Sequence, residues 1–320
     1  MYQVIEREGF YTMRSLSGSE YLKIRGDWSD EIIDVVINRN IKHLIVSSFN
    51  ERYLSKLKIL DGIVERVDFS DYSVEDYSAL NDIHSLRELY TVNSPVGLDY
   101  SSFPDLIKVG FSSSSIPDTL RFSPQLDSVS IIGYRGIDFV EFSDLKKVKC
   151  IHLNDSAISS FYGIESIVGL NELCMVRSRV SKIDCSGQMD SMKSLTLAAS
   201  RHLVDLSRMF LFPNLEDLDI ERSRSVLVVD AISTVKSLKF LNINDIGTVS
   251  SIRPLACLST LERLSMFGDT NVFDGDVRCM LDCPRLQFFG FKNRKHYNDR
   301  MKDMGLCAPP PGLSNVTKRY

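Results

Sequence analysis

The sequence predicts an α/β repeat protein in which short strands stack into one parallel sheet. Three observations lead to this prediction: a six-residue motif recurs along most of the 320-residue chain, apolar residues alternate within each copy, and apolar residues recur at every third position after it. Alternation places side chains on opposite faces of a strand, and three residues per turn is the period of a 3₁₀ helix. Each copy is therefore predicted to form a strand, a turn and a short helical return.

The motif has the form LxxLxL and is clearest in Leu170–Met175, LNELCM. The clearest copies start at Val148, Leu170, Met192, Leu215, Leu238 and Leu261. Weaker copies start at Ile41, Val64, Leu86, Leu106, Leu126 and Leu286, and a thirteenth would start at Ser19. From Ile41 onward the steps between starts are 20 to 25 residues, with a period near 22. Because one repeat cannot bury its own apolar face, stacked neighbours must share one continuous core.

The helical return after each strand is predicted from apolar residues spaced by three. One series is Ile158, Phe161, Ile164, Ile167 and Leu170, and another is Val249, Ile252, Leu255, Leu258 and Leu261. A regular α-helix would show apolar residues at a mixture of three- and four-residue steps. The constant step of three therefore indicates short 3₁₀ or irregular segments instead of long α-helices.

These repeats resemble those of leucine-rich repeat proteins, and their 22-residue step resembles the internalin-type class. The resemblance covers about residues 19–292. It implies a leucine-rich repeat solenoid: a curved right-handed superhelix with a parallel β-sheet on the concave face and short 3₁₀ or irregular segments on the convex face. Family members usually carry Asn at the ninth repeat position, whereas this chain often carries Ser, at Ser94, Ser114, Ser156, Ser178, Ser200 and Ser223. A hydroxyl has a shorter reach than an amide, so we expect no regular asparagine ladder.

The repeat period predicts one elongated domain with three regions. Residues 1–40 would form an N-terminal cap and first partial repeat, residues 41–292 a solenoid of about 12 repeats, and residues 293–320 a C-terminal cap and flexible tail. Terminal segments of a solenoid are atypical because they cover the ends of its core.

Each cap has a predicted local structure. Ser29–Asn38 is predicted to be a helix with Asp27 or Ser29 as its N-cap. Asn293–Gly305 mixes basic and acidic residues, and it is predicted to be either a capping helix or a hydrophilic exit from the repeats. The tail from Ala308 is rich in proline and is predicted to be loose.

Composition excludes several classes of protein. The chain has 38 Lys and Arg against 42 Asp and Glu, a net charge of −4, which argues against a dedicated nucleic-acid-binding protein. The N-terminus lacks the apolar run of a secretory signal, and no segment is apolar enough to span a membrane. The seven cysteines are scattered without a CxxC pair, as expected for reduced thiols. We therefore expect a cytoplasmic protein with neither a nucleic-acid nor a membrane partner.

Candidate partner-binding residues lie on the outward positions of the strands. Asp217, Asp219 and Glu221 would form an acidic strip on one strand, with Asn242 on the next. An acidic strip attracts a basic partner and accelerates its association, although a solvated charged face explains it equally simply. The second group is aromatic: Phe240, Phe267 and Phe288 would project from successive repeats, with Arg263 as part of a polar rim. Exposed aromatic residues are frequent interface anchors, and burial under the C-terminal cap is the alternative.

A third group, Cys150, His152, Glu172 and Cys174, would lie on two adjacent strands. Thiol, imidazole and carboxylate side chains could bind zinc or support nucleophilic catalysis. Open strands, however, provide neither an enclosed pocket nor an oxyanion site, so ordinary surface is the favoured interpretation. The prediction is therefore no metal and no cofactor, with Cys150, His152 and Cys174 as the residues to consider if a metal were bound.

The sequence contains no GxSxG, HExxH or GxxxxGK[ST] motif. We therefore predict a non-enzymatic protein-binding module that recognises a partner protein through the concave face, as an adaptor, an inhibitor or a toxin-neutralising immunity protein. The alternative is a metal-binding or thiol-dependent enzyme that uses the cluster of Cys150, His152, Glu172 and Cys174. Neither the partner nor the oligomeric state is predicted.

Overall fold

A computed structural model describes residues 5–7, 10–14, 20–25, 29–48, 51–70, 74–223 and 229–306. The chain divides into two compact units, the first comprising Met1–Tyr134 and Asp144–His152 and the second Arg135–Ser143 and Leu153–Tyr320. The predicted N-cap alternative Asp27, the predicted motif start at Ser19 and the tail from Ala308 lie outside the described residues. The region boundaries predicted at residues 40 and 292 stay predictions.

The first unit contains strands whose spatial order follows the chain. They are β1 (Ile5–Arg7), β2 (Phe10–Arg14), β3 (Glu20–Arg25), β4 (His43–Ser48), β5 (Arg66–Phe69), β6 (Glu88–Tyr90), β7 (Lys108–Ser112) and β8 (Ser128–Ile132), and β9 (Cys150–Asn154) begins there and ends in the second unit. Strands β3 to β8 pair in parallel, as the repeats predict. Strands β1, β2 and β3 are antiparallel. Strands β1 and β2 precede the first repeat, so the motif spacing could not predict them.

An α-helix, α1 (Asp30–Arg39), lies between β3 and β4 in the sequence, and it confirms the predicted N-terminal helix. Ser29 is the N-cap, and its hydroxyl accepts a hydrogen bond from the Ile32 N–H at 3.3 Å. The helix ends where Asn40 takes a left-handed conformation, with φ of 52°, a common way to terminate a helix. Within the described residues, no helix is long and apolar enough to cross a membrane.

The second unit repeats the same parallel arrangement. Its strands are β10 (Glu172–Val176), β11 (Ser194–Ala198), β12 (Asp217–Asp219), β13 (Phe240–Asn242), β14 (Thr248–Val249), β15 (Arg263–Met266), β16 (Asn271–Val272) and β17 (Phe288–Phe291). Strands β10, β11, β12, β13, β15 and β17 pair in that order, and β14 and β16 form a separate two-stranded sheet.

The returns between strands are short 3₁₀ segments, as the three-residue spacing predicts. They are Glu51–Leu60, Ser78–Asp82, Tyr100–Ser102, Asp118–Phe122, Val140–Asp144, Ile164–Ser166, Met209–Leu211, Asp230–Thr234, Arg253–Cys257 and Arg278–Asp282. The motif's fourth and sixth residues and the every-third residues of the returns are buried together, as Leu173, Met175 and Ile164 illustrate at 0% exposure. Burial of these side chains is the main stabilising contribution in a repeat core.

The ninth repeat position of the second unit carries four buried serines, Ser156, Ser178, Ser200 and Ser223. The Ser178 and Ser200 hydroxyls are 2.8 Å apart. The Ser223 hydroxyl accepts from the Ser200 N–H at 3.2 Å and donates to the Leu197 carbonyl at 3.1 Å. Thr270, at the tenth position of its repeat, bonds in the same way to the Ile246 N–H and the Ile243 carbonyl. Ser223 and Thr270 thus satisfy buried backbone groups of the preceding repeat.

The eighth repeat position of the second unit has left-handed backbone in successive repeats. The residues are Asp155, Arg177, Ala199, Arg222 and Asp245, with φ between 53° and 57°, followed by Gly268 with φ of 72°. This conformation aims each N–H at the next repeat, so that the Ala199 N–H donates to the Glu221 carbonyl at 2.8 Å. Left-handed backbone strains most residues that carry a Cβ atom, which makes this turn a local source of strain.

Ala199→Gly is therefore expected to raise the free energy of unfolding by about 0.5–1 kcal/mol, since relief of left-handed strain exceeds the entropic penalty of glycine. Urea denaturation measures the change. Ala198→Gly, one residue earlier in strand β11, is the matched control and should lower stability by a similar amount. Equal effects of the two substitutions would contradict the assigned strain.

The C-terminal end of the second unit is covered by the chain's own residues 293–306. The Phe289 N–H of β17 donates to the Leu306 carbonyl at 2.8 Å, and the Val272 N–H of β16 donates to the Tyr297 hydroxyl at 2.9 Å. The His296 Nε2 lies 2.9 Å from the Val272 carbonyl. Residues 293–306 form turns, so the capping helix, one of the two predicted alternatives, does not form. Backbone and side-chain bonds to the last strands replace it.

Candidate interaction surface

The strand face consists of the side chains at the third and fifth repeat positions, which point away from the core. In the first unit the third-position row is Tyr21, His43, Arg66, Glu88, Lys108 and Ser128, and the fifth-position row is Lys23, Ile45, Asp68, Tyr90, Gly110 and Ser130. Each row pairs residue by residue across neighbouring strands. The register predicted from the motif is therefore confirmed for this unit.

An ion-pair network, the Arg66 cluster, occupies the strand face of the first unit. The Arg66 guanidinium binds Asp68 in a bidentate manner, with Nε–Oδ1 and Nη2–Oδ2 distances of 3.0 and 2.9 Å. Its Nη1 donates to Glu88 Oε2 at 2.8 Å. His43 Nε2 lies 2.9 Å from Asp68 Oδ2, and Lys108 Nζ lies 3.2 Å from Glu88 Oε1. The network neutralises both carboxylates within the unit.

The pKa values in the Arg66 cluster reflect this pairing. Burial raises the pKa of Asp68, but hydrogen bonds from His43 and Arg66 outweigh burial, so that its pKa is lowered. Burial lowers the pKa of Arg66, and Asp68 more than offsets this, so that the pKa of Arg66 is raised. Asp68 and Arg66 are therefore both charged at neutral pH, and their mutual hydrogen bonds stabilise them.

An aromatic ring completes the Arg66 cluster. The Arg66 Cζ lies 4.9 Å from the centroid of the Tyr90 ring, within the range of a cation–π interaction. A Cβ atom on Gly110 would lie 2.6 Å from Tyr90 Cδ1, so only glycine leaves room for the ring. No residue of this cluster is among the predicted site residues, although charges of both signs in the third-position row, at Arg66, Glu88 and Lys108, are the signal that reveals it.

The strand face of the second unit also has the predicted register. Its third-position row is Glu172, Ser194, Asp217, Phe240, Arg263 and Phe288, and its fifth-position row is Cys174, Thr196, Asp219, Asn242, Ser265 and Gly290. Asp217 and Asp219 of the acidic strip (Asp217, Asp219 and Glu221), together with Phe240 and Phe288, therefore lie in the rows that the motif assigned to them.

The acidic strip is not neutralised as the Arg66 cluster is. Asp219 accepts a hydrogen bond from Asn242 Nδ2 at 3.0 Å, and Glu221 lies 3.5 Å from the exposed guanidinium of Arg222. Among the described residues, neither Asp217 nor Asp219 forms an ion pair within 4.0 Å.

The pKa values confirm this difference in environment. Burial raises the pKa of Asp219 to about 7, with Glu221 and then Asp217 adding to the effect. Burial, followed by Glu172, also raises the pKa of Asp217. Ionisation of these half-buried carboxyl groups therefore has an electrostatic cost, and Asp219 is only partly ionised at neutral pH.

The aromatic residues are only partly exposed, and the predicted projection of Phe288 is wrong. Phe288 is 7% exposed, whereas Phe267 is 38% exposed and Phe240 is half-buried. The Arg263 Cζ lies 4.7 Å from the Phe288 ring centroid, so Arg263 stacks on Phe288, and its place in a polar rim stays a prediction. A Cβ atom on Gly290 would lie within 2.7 Å of the rings of Phe267 and Phe288. The absence of a side chain at Gly290 lets these rings lie against the sheet.

The predicted Cys–His group is divided between the units, with Cys150 and His152 in the first and Glu172 and Cys174 in the second. Across the part of the chain that the structure describes, no group of three or more His, Cys, Asp or Glu side chains is arranged to hold a metal ion. The alternative of a metal site consequently has no geometric support there. Three other thiols of the described residues are buried, those of Cys185, Cys279 and Cys283. Burial raises the pKa of each, to about 11 for Cys185 and about 12 for Cys279. All three are therefore protonated and unreactive at neutral pH.

A second set of charges, the edge ladder, lies at the second repeat position. In the second unit Lys193 Nζ lies 3.3 Å from Glu216 Oε1, and Lys239 Nζ lies 2.7 Å from Glu216 Oε2. In the first unit Lys42 and Glu65 are 3.4 Å apart. Opposite charges in neighbouring repeats, each one residue before its strand, therefore neutralise each other along this edge.

Comparison with solved structures identifies the same fold in other proteins. An internalin (InlF) from Listeria monocytogenes has a TM-score of 0.60 and 17% sequence identity, covering 89% of this chain and 84% of the internalin. A TLR13–ssRNA13 complex gives a TM-score of 0.50 and 13% identity, covering 88% of this chain and 53% of the receptor chain. A leucine-rich repeat protein from Leptospira interrogans has a TM-score of 0.49 and 16% sequence identity, covering 80% of this chain and 79% of that protein.

At the level of sequence, no protein-family model and no curated protein matches the chain. The structural likeness, together with the parallel strands and 3₁₀ returns, therefore shows the fold alone. By that fold, this chain is a leucine-rich repeat solenoid similar to an internalin.

Proposed function

We propose that the chain is a non-enzymatic protein-binding module that recognises a partner protein through its strand face, the face predicted to be concave. The observation that carries the proposal is the arrangement of that face, where charged and aromatic side chains form rows in strict register. A sheet holds such side chains rigidly and so limits the entropy lost on binding. Leucine-rich repeat folds support this function only by analogy, because a fold does not determine a function.

A protein fits this surface better than a nucleic acid does. One solved structure with a similar fold is a receptor–RNA complex, so RNA is the natural second ligand to test. The strand face of the second unit carries the carboxylates of Glu172, Asp217 and Asp219, which would repel phosphate groups. The proposal therefore names a protein partner.

The proposal includes no catalytic step. The carboxylates of the Arg66 cluster are already bound within the first unit, and burial keeps the thiols of Cys185 and Cys279 protonated. The proposed role is that of a cytoplasmic adaptor, inhibitor or toxin-neutralising immunity protein, all of which act by binding.

The test is affinity capture from cells that produce the protein, with the immobilised full chain and its variants. Phe267→Ala is expected to reduce recovery of a captured partner by about tenfold, because exposed aromatic side chains dominate interface energies. Phe273→Ala is the matched control, since Phe273 is 74% exposed and follows β16, outside the main sheet. Quantitative mass spectrometry measures recovery of each partner.

Loss of the partner with Phe273→Ala but not with Phe267→Ala would overturn the strand-face proposal. Capture of RNA alone, with recovery reduced by Phe267→Ala, would overturn the assignment of a protein partner.

A further inference from the structure

We propose that the partner presents an arginine side chain whose guanidinium binds between Asp217 and Asp219 on β12, beside the Phe240 ring. This inference rests on the proposed function and specifies the chemistry of the partner. It concerns the strand face of the second unit alone.

The first unit contains an intramolecular example of such binding. Arg66 stands at the third position of β5, and its guanidinium is bound by Asp68 at the fifth position of the same strand. The neighbouring strand supplies a carboxylate at its third position, Glu88, and a ring at its fifth, Tyr90. Carboxylate and aromatic groups in these rows therefore hold a guanidinium with good geometry.

Strand β12 of the second unit carries two carboxylates in these rows and no arginine, and its neighbour β13 carries its ring at the third position, where β6 carries Glu88. Asp219 stands at the fifth position, as Asp68 does on β5, but Asp217 occupies the third position, where β5 carries Arg66. The neighbouring strand β13 supplies an aromatic ring, Phe240, opposite Asp217. The two carboxylates are about 7 Å apart along the strand, a span that one guanidinium can bridge.

Arg263 and Arg222 attract the β12 carboxylates from beyond ion-pair distance. The Arg263 guanidinium stacks on the Phe288 ring at 4.7 Å, and the Arg222 guanidinium lies beside Glu221 with its side chain 70% exposed. Asn242 donates one neutral hydrogen bond to Asp219. The carboxyl groups of β12 thus keep acceptor capacity for an external cation, whose binding would favour their ionised form.

Arginine fits this position better than lysine. A guanidinium is planar, donates to two carboxylates at once and stacks on an aromatic face, whereas an ammonium is a compact and strongly hydrated charge. The Phe240 ring beside two carboxylates therefore favours the planar cation. Bidentate recognition also makes the site selective for the side chain and not only for its charge.

The experiment uses the full chain and three blocked peptides of equal length that contain arginine, lysine or glutamine at alternate positions between glycines. Isothermal titration calorimetry at low ionic strength measures each affinity. We expect the arginine peptide to bind at least about tenfold more tightly than the lysine peptide, and the glutamine peptide not to bind. Asp217→Asn with Asp219→Asn is expected to weaken arginine-peptide binding by at least about tenfold.

Two control variants keep the test specific. Asp282→Asn removes the same charge from an exposed position in a 3₁₀ segment, and it should leave the affinity within about twofold. Phe240→Leu should weaken the arginine peptide more than the lysine peptide, since it removes only the ring. Equal binding of the arginine and lysine peptides, or equal losses with Asp282→Asn and the β12 variant, would overturn the inference.

The outcome also separates the inference from the proposed function. A captured partner that requires Phe267 but tolerates loss of both β12 carboxylates would overturn this inference and support the proposed function. Arginine-peptide binding at β12 without any protein captured through the strand face would overturn the proposed function alone.

Discussion

Replacing Asp219 by asparagine is expected to raise the free energy of unfolding at pH 8 by about 2 kcal/mol. Burial, with Glu221 and Asp217 close by, raises the pKa of this carboxyl from an ordinary 3.8 to about 7 in the folded chain. Such a difference corresponds to about 4 kcal/mol between the protonation states, and relaxation of the strip reduces the measurable gain to about half of that. Asparagine retains a carbonyl oxygen for the Asn242 amide and carries no charge.

The effect of Asp219 depends on pH in a defined direction. Between about pH 4 and pH 7 the folded chain binds a proton at Asp219 that the unfolded chain releases. The folded state is therefore favoured at low pH, and this contribution is lost as the pH rises through the folded-state pKa of about 7. Asp219→Asn removes this decline. The variant should therefore have a clearly higher free energy of unfolding than the wild type at pH 8 and a nearly equal one at pH 5.

Urea denaturation of both proteins at pH 5 and pH 8 measures this difference. Other titrating groups affect both proteins alike and cancel in the comparison. Asp282→Asn is again the control and should change stability by less than about 0.5 kcal/mol at either pH. If the free energies of unfolding of wild type and Asp219→Asn differ by the same amount at pH 5 and pH 8, the electrostatic explanation is wrong.

Arg66→Met is expected to lower the free energy of unfolding by about 2–3 kcal/mol at pH 7. The substitution leaves Asp68 with only His43 and Glu88 with only Lys108. Breaking one side of a buried ion pair costs about 3–5 kcal/mol, and the 38% exposure of the Arg66 side chain reduces that figure through solvent screening.

The matched control for Arg66→Met is Arg87→Met. Arg87 is more exposed and lies 4.0 Å from Glu65, so its replacement should change stability by less than about 0.5 kcal/mol. Thermal and urea denaturation measure both variants. If Arg66→Met and Arg87→Met lower the free energy of unfolding by equally small amounts, the Arg66 cluster does not stabilise the first unit.

Asp68 of the Arg66 cluster is expected to make stability fall as the pH is lowered, whereas Asp219 makes stability fall as the pH is raised. The pKa of Asp68 is lowered in the folded chain, so its contribution to stability is present above the ordinary carboxyl pKa and is lost as the pH falls through the folded value. Arg66→Met should reduce that acid-induced loss. Adding Asp68→Asn to Arg66→Met should recover part of the stability, because no uncompensated charge then remains at that position.

Residue spacing was sufficient to predict the rows of the strand face. Strand side chains alternate with a period of two, and the repeat step determines which residues become lateral neighbours, so Asp217 and Phe240 could be paired from the sequence alone. The helix after Ser29 was predictable for a related reason, since a capping residue precedes a local apolar pattern. In both cases short-range rules determine the structure.

Other features depend on side-chain torsions and tertiary packing that spacing does not encode. The row assignment gives Phe288 an outward direction, but the empty position at Gly290 and the stacked Arg263 determine that its ring is buried. The rows likewise bring Arg66 near Asp68 without revealing the bidentate geometry. The turns of residues 293–306 follow from contacts with the last strands, because no repeat motif extends into them.

The edge ladder has a consequence for how this chain can evolve. Solenoid genes commonly gain or lose whole repeats, and interchangeable neighbours would tolerate such events. Here deletion of the repeat that carries Glu216 would bring Lys193 beside Lys239, so that two attractions become one repulsion. Loss or duplication of two repeats together would preserve the alternation. The charge sequence along one edge therefore makes the pair of repeats, not the single repeat, the unit in which this part of the chain can change length.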